Sequence, residues 1–204
     1  TKLRDVFGLF SAEYDLAEQV LLYARAGARD GREDGIYGGI TVTNAATGAA
    51  TGNALVVPRT DNNEALEGGL RGKFGTGVTH EINLGGNISW QVNRNAFDFR
   101  YGPGFAGFAT NLYAPVQVAL PSSTLVGGNL ADPYPISRSR FASAFASDTI
   151  GILDERLLVT VGGRLQSLRV EGYGYYDGGR LASTYSEDAF TPVAGIVAKP
   201  SEGL

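Results

Sequence analysis

Residues 81–95 alternate apolar and polar side chains over about a dozen positions. Ile82, Leu84, Gly86, Ile88, Trp90 and Val92 fall on one side; Glu81, Asn83, Gly85, Asn87, Ser89, Gln91, Asn93 and Asn95 fall on the other. Successive side chains of an extended chain point to opposite faces, so a period of two means a strand with one apolar and one wet face. The run is long for a globular strand of ~5–6 residues. A strand that crosses a bilayer at a tilt needs ~9–11.

The pattern recurs. Leu66, Gly68, Leu70, Gly72 and Phe74 alternate with Glu67, Gly69, Arg71 and Lys73, and Gly75 and Gly77 supply a turn before residue 81. This is a long hairpin. A second spans residues 6–30. Val6, Gly8, Phe10, Ala12, Tyr14 and Leu16 oppose Ser11, Glu13 and Asp15; after residues 17–19, Val20, Leu22, Ala24, Ala26 and Ala28 oppose Tyr23, Arg25 and Arg29. Within 15–27 a helical stripe of Leu16, Val20, Tyr23, Ala24 and Gly27 competes with the strand. In a third hairpin, Phe141 and Phe145 alternate with Arg138, Arg140, Ala142 and Asp148. After a turn at 153–156, Leu157, Val159, Val161, Gly163 and Leu165 oppose Thr160, Gly162, Arg164 and Gln166. Asp177-Gly178-Gly179 then turns the chain into a strand over 181–198.

The expected fold is all-β: about seven long strands in up-and-down order. Connections are short at one end (17–19, 75–79, 153–156 and 199–203) and long at the other (31–62 and 96–135). That asymmetry belongs to a large antiparallel transmembrane β-barrel, with short periplasmic turns and long extracellular loops. Tyr14 and Phe74 near the short turns, and Trp90 well away from them, suit two aromatic girdles. The charges Glu13, Arg25, Arg29, Glu67, Arg71, Lys73, Arg94 and Arg164 are expected to face the lumen. A soluble β-sandwich is the rival. It requires residues 82–92 and 157–165 to face a dry core.

Composition removes other classes. Without Cys there is no disulfide framework, cysteine nucleophile or zinc ribbon. His80 is the only histidine. It is expected as a solvated turn residue beside Glu81, so a serine nucleophile lacks its base and no His-rich metal site forms. The expectation is therefore no enzyme, no catalytic residues and no metal site. A net charge of −4 with no basic run argues against a nucleic-acid partner. No apolar run approaches ~18 residues, so no transmembrane helix is expected. The mean hydropathy of −0.06 fits a barrel and a soluble β-protein alike.

Several segments carry a family resemblance. Ala146-Ser147-Asp148, Leu153-Asp154-Glu155-Arg156-Leu157, Val161-Gly162-Gly163-Arg164, Phe190-Thr191-Pro192, Gly195 and residues 198–204 resemble the barrel of TonB-dependent outer-membrane receptors. Tyr14-Asp15 and Leu22-Tyr23-Ala24-Arg25-Ala26-Gly27 resemble another hairpin of the same family, and the ferrichrome type of ferric-siderophore receptor is most similar. The resemblance covers most strand segments but not the long loops. It implies uptake of ferric siderophores with TonB-derived energy in the outer membrane of a Gram-negative bacterium, with outer-membrane lipid around the barrel. It implies no cofactor, iron entering only as the siderophore chelate. Family barrels have 22 strands and a plugged lumen. Residues 1–204 are therefore expected to be a partial barrel, without the plug that contacts TonB and without the C-terminal strands. Cobalamin or an oligosaccharide remains an alternative cargo, and a passive porin-like barrel an alternative class.

A compact chelate with apolar and carbonyl surface suits aromatic side chains with a few hydrogen-bond donors. The candidate ligand-binding residues are Tyr37 in the first long loop and Phe99, Tyr101, Phe105 and Tyr113 in the second. Tyr134, Arg138 and Arg140 lie where that loop re-enters the barrel.

Overall fold

The computed structural model describes residues 1–199. Its strands are β1 (Lys2–Ala17), β2 (Val20–Asn44), β3 (Ala49–Phe74), β4 (Thr79–Asn95), β5 (Phe97–Arg100), β6 (Phe108–Asn111), β7 (Leu125–Gly127), β8 (Pro135–Ile152), β9 (Leu157–Tyr173) and β10 (Leu181–Ala198), with one 3-10 turn at Pro103–Phe105. They form a single antiparallel sheet. Its long strands run in the order β1-β2-β3-β4-β8-β9-β10, so neighbours in sequence are neighbours in space. The seven long strands and their up-and-down order are those the alternation predicts. The helical alternative over 15–27 is excluded, because β2 pairs with β1 on one side and β3 on the other. The turn expected over 199–203 lies outside the described residues.

Cross-strand partners share a face, so the register assigns every side chain. Leu84 pairs with Leu70 and Ala146, and Ile88 with Leu66 and Ala142. Val161 pairs with Asp148 and Ala194, and Leu165 with Ala144 and Phe190. One face is thus mostly apolar along the middle of the strands, with Asp148 the charged exception among these partners. The other carries Arg25 opposite Glu67, Arg71 opposite Asn83, and Asn87 opposite Ser143. Among the described residues the only buried apolar side chains are Tyr23, Ala50, Ala54 and Ala96, whereas Leu66, Leu84, Val161, Leu165, Phe190 and Ile196 are exposed. A single layer with so much uncovered apolar surface has no dry core of its own. The soluble sandwich fails on this point, and acyl chains are the cover that a barrel wall requires.

The register corrects some expected orientations. Phe141 and Phe145 lie on the polar face, opposite Ser89 and Gly85. The apolar face of β8 is carried instead by the small Ala142, Ala144 and Ala146, which alternation scored by size does not register. Arg94 lies on the apolar side, opposite Thr60, where its Nη1 donates to Asn62 Oδ1 at 3.1 Å. His80 is a β4 residue rather than a turn residue. Its Nδ1 lies 2.7 Å from Asp148 Oδ2, and this pair lies on the apolar face near the short-turn end.

The first long connection is also built differently. Residues 31–44 and 49–62 continue β2 and β3 as a ribbon paired without a break from Val20–Gly72 to Val42–Ala50. Its tip is closed by Asn44 Oδ1, which accepts from the backbone N–H of Ala46 and Thr47, and by Gly48 at φ +74°. Gly31, Gly35, Gly38, Gly39 and Pro58 read as loop punctuation, but here strand pairing outweighs local propensity.

At the short-turn end, Glu155 of the β8–β9 turn joins two hairpins. It lies 2.6 Å from Lys73 Nζ and accepts from Thr79 Oγ1 at 3.1 Å. These two hydrogen bonds hold its carboxyl below the ordinary 4.5. A depressed carboxylate stabilises the fold above its unfolded pKa, and that contribution is lost as pH falls through the folded value. In thermal melts of the full-length protein, Glu155→Gln should lower the midpoint at about pH 7 and make little difference at about pH 3. An equal deficit at both would show that Glu155 acts through packing.

Candidate functional site

Beyond Ala96 the chain does not leave the sheet. β5 pairs with β3 through Ala54–Arg100, Leu55–Phe99 and Val56–Asp98, in the same register as β4. The polar face of β4 therefore continues into β5, and Phe97 and Phe99 stand on it. Tyr37 pairs with Leu55, which pairs with Phe99, which pairs with Leu125 of β7. Tyr37 and Phe99 thus share one face across two strand spacings, about 10 Å.

Phe97, Phe99, Tyr101 and Phe105 form a row with successive ring centroids 5.2, 6.0 and 5.7 Å apart. Tyr175 and Tyr176 of the β9–β10 connection extend it, their centroids 5.0 and 6.4 Å from Phe97. Alternation explains the start of the row, since side chains two apart in a strand point the same way. The 3-10 turn, with Gly104 at φ +63° and Phe105 at φ +58°, then brings Phe105 back beside Tyr101.

A polar layer behind the row fixes it. Asp98 is 1% exposed; it accepts from Arg100 Nε at 2.7 Å and Ser123 Oγ at 2.6 Å. Thr124 donates its N–H to the Phe99 carbonyl at 2.8 Å, and its Oγ1 accepts from the Tyr101 N–H at 3.1 Å. The segment 122–127 is thereby tied to β5. Tyr175 Oη donates to Asn95 Oδ1 at 2.5 Å, and Gly128 N–H donates to the Tyr175 carbonyl at 3.0 Å.

Of the sequence candidates, Phe99, Tyr101 and Phe105 come together, and Tyr37 joins their face. Tyr113 lies elsewhere: its Oη donates to the Ala45 carbonyl at 2.5 Å and fastens the tip of the β2–β3 ribbon. Tyr134 packs on Gly179 in the β9–β10 turn. Arg138 and Arg140 pair with Val92 and Trp90 and stand on the apolar side of the wall. Phe97, Tyr175 and Tyr176 were missed. The Phe-Asp-Phe-Arg-Tyr alternation over 97–101 signals the first, whereas only tertiary structure brings in the other two. Among the described residues no three His, Asp or Glu side chains converge to hold a metal. Rings of this kind, with backbone and carboxamide groups nearby, offer stacking and hydrogen bonds to a compact solute rather than acid–base chemistry.

Comparison with known proteins agrees with this architecture. Residues 3–204 match the family model described as TonB dependent receptor-like, beta-barrel. The ferrichrome receptor FcuA of Yersinia enterocolitica is 32% identical over 205 residues, which span 99% of this chain and 26% of that protein. The chain therefore spans about a quarter of the curated relative it matches. Two solved structures share the fold. The siderophore receptor PiuA from Acinetobacter baumannii has a TM-score of 0.72 at 18% identity, covering 98% of this chain and 30% of that one. BauA, the ferric preacinetobactin receptor of the same organism, has 0.69 at 21%, covering 98% and 29%.

Proposed function

This chain belongs to the TonB-dependent receptor β-barrel family, and we propose that it forms part of the wall and outer rim of a receptor that takes up ferric siderophores. The observation that carries this reading is the 32% identity to a ferrichrome receptor along 99% of the chain. The geometry supports it. In the family orientation the short turns are periplasmic and the long connections extracellular, in the outer membrane of a Gram-negative bacterium. The aromatic face of Tyr37, Phe99, Tyr101 and Phe105 then stands at the external mouth of the bore.

In this reading the chain's residues bind and do not transform. The rings of Phe99, Tyr101 and Phe105 cover the apolar shell of the chelate, and the Tyr37 and Tyr101 hydroxyls donate to its oxygens. Iron is cargo held by its own chelator, with no resident cofactor. Among the described residues, β1 and β10 each pair on one side only. Open edges cannot face hydrocarbon, where each unpaired backbone group costs several kcal/mol. Other strands of the full-length receptor join these edges, and energy from TonB reaches the cargo through a plug in the bore.

The test is titration of the full-length receptor with a ferric hydroxamate siderophore, followed by intrinsic fluorescence. Tyr101→Ala combined with Phe105→Ala should raise Kd by about tenfold, equivalent to ~1.4 kcal/mol. Saturable binding of a cobalamin or an oligosaccharide, with no response to ferric siderophores, would overturn the cargo.

A further inference from the structure

We propose that Asn95 is a positioning residue for the cargo site: through Tyr175 it latches the β9–β10 connection onto the inner wall and so makes Tyr176 a further cargo-contacting side chain. This role rests on the ferric-siderophore reading above and adds the far side of that site. Asn95 is the last residue of β4 and stands on the polar face opposite Arg59, and Asn93 stands on the same face opposite Asp61. Side chains two apart in an extended chain point the same way, so this face runs from Asn93 through Asn95 to Phe97.

A directed chain of hydrogen bonds fixes Asn95. Tyr175 Oη donates to Asn95 Oδ1 at 2.5 Å, Asn95 Nδ2 donates to Asn93 Oδ1 at 3.2 Å, and Asn93 Nδ2 donates to Asp61 Oδ1. Arg59 Nε lies 2.7 Å from the other oxygen of Asp61. A carboxamide can be turned over, exchanging its donor and acceptor ends, but an ionised carboxylate can only accept. Asp61 at the base therefore makes Asn93 turn its N–H groups toward it and its oxygen toward Asn95, and Asn93 imposes the same sense on Asn95. The oxygen left at the top can only accept, so Tyr175 must donate to it. Bonds aligned in one direction also polarise one another.

The connection that Tyr175 carries is tied to itself. Gly174 N–H donates to the Arg180 carbonyl at 2.9 Å, and Asp177 Oδ1 accepts from the Arg180 N–H at 3.2 Å. These bonds close a small loop whose turn is made by Gly178 and Gly179, at φ +76° and +75°. A loop closed on itself is placed by its tethers. Tyr175 bears two of them: its hydroxyl on Asn95, and its carbonyl, which accepts from Gly128 N–H at 3.0 Å. The Tyr175 ring then meets Phe97 with centroids 5.0 Å apart, and the next ring, Tyr176, stands nearly perpendicular to Phe97 at 87° and 6.4 Å. The two tyrosines divide the work. The Tyr175 hydroxyl is spent on the wall, whereas Tyr176 is 69% exposed and offers an open ring with a polar tip to a compact solute.

The test uses the full-length receptor with 3-fluorotyrosine at position 176, followed by fluorine NMR in the absence of cargo, together with ferrichrome binding. N95L and Y175F should each move and narrow the fluorine resonance toward that of free fluorotyrosine, and should raise Kd for ferrichrome about fivefold, mostly through faster release. N93L should do so in part. N95D, which keeps an acceptor for Tyr175, should keep the wild-type resonance. Y176A should also raise Kd about fivefold, and N95L/Y176A should bind no worse than Y176A, because Asn95 acts through Tyr176. Thermal melts show whether each variant is folded, and Y175F, which loses one oxygen atom, keeps the test decisive if N95L is not. An unchanged resonance in N95L and Y175F, or additive losses in N95L/Y176A, would overturn the latch. A silent N93L beside a responsive N95L would overturn the part given to Asn93 and Asp61. A wild type that binds no ferric siderophore would overturn the cargo role, while the fluorine resonance still decides the latch.

Discussion

Leu84→Arg is expected to destabilise the folded barrel by about 2–4 kcal/mol, and Asn87→Arg three residues on by far less. Leu84 lies five residues from the start of β4. At ~3.3 Å per residue and ~45° tilt that is about 12 Å, close to the middle of a ~25 Å band. Its direct cross-strand neighbours on the apolar face are Leu70 and Ala146, and the nearest acid there, Asp148 on the diagonal, is already held by His80, so an arginine must compete for that carboxylate or reach far to find water. Asn87 lies on the polar face opposite Glu67, where a new guanidinium gains an opposite charge. Asn83 is a poorer control, because Arg71 stands opposite it. Urea unfolding of the full-length receptor in lipid vesicles measures both. Equal costs would mean that the two faces see the same medium, and the barrel assignment would fall.

The strand positions and face chemistry were legible because membrane and water impose one rule on every long strand. Residues 82–92 and 159–165 obey it. What escaped was set by partners rather than by period. The 31–62 segment looks like a loop through its glycines and Pro58, but pairing with the opposing arm extends it into a ribbon. At β8, Phe141 and Phe145 suggested an apolar face; the register gives that face to three alanines, and lets the rings lie against Ser89 and Gly85 on the wet side. At the candidate site, the strand part of the aromatic row could be read from 97–101. Its closure by Phe105 depends on backbone turns, and Tyr175 and Tyr176 arrive from a connection more than seventy residues away. The outward direction of Arg138 and Arg140 follows from register, which no single strand reveals.

Tyr23→Ala should be among the costliest substitutions on the polar face, about 3 kcal/mol, with Tyr23→Phe nearly neutral. Tyr23 is 2% exposed in a sheet with few buried side chains. It achieves this by lying flat. Tyr23 pairs with Gly69, Gly69 with Gly85, and Gly85 with Phe145. The two glycines leave a trough two strands wide, into which Tyr23 leans from one side and Phe145 from the other. A Cβ on Gly69 would stand 2.6 Å from Tyr23 Oη, and one on Gly85 would stand 2.7 Å from Phe145 Cζ. Arg71 and Arg25 cover the Tyr23 ring at 4.8 and 5.6 Å, and Arg164 covers Phe145 at 5.2 Å. Removal of the Tyr23 ring uncovers the strand backbones beneath it and leaves two guanidinium groups without their π face. Gly69→Ala should be costly for the converse reason, since its methyl must evict the ring. The double variant Y23A/G69A should therefore cost less than the sum of the singles, by about 0.5–3 kcal/mol. Part of the Gly69 penalty should persist, because the Leu84 carbonyl also crowds that Cβ. Simple additivity in the cycle would show that Tyr23 and Gly69 do not act as one joint.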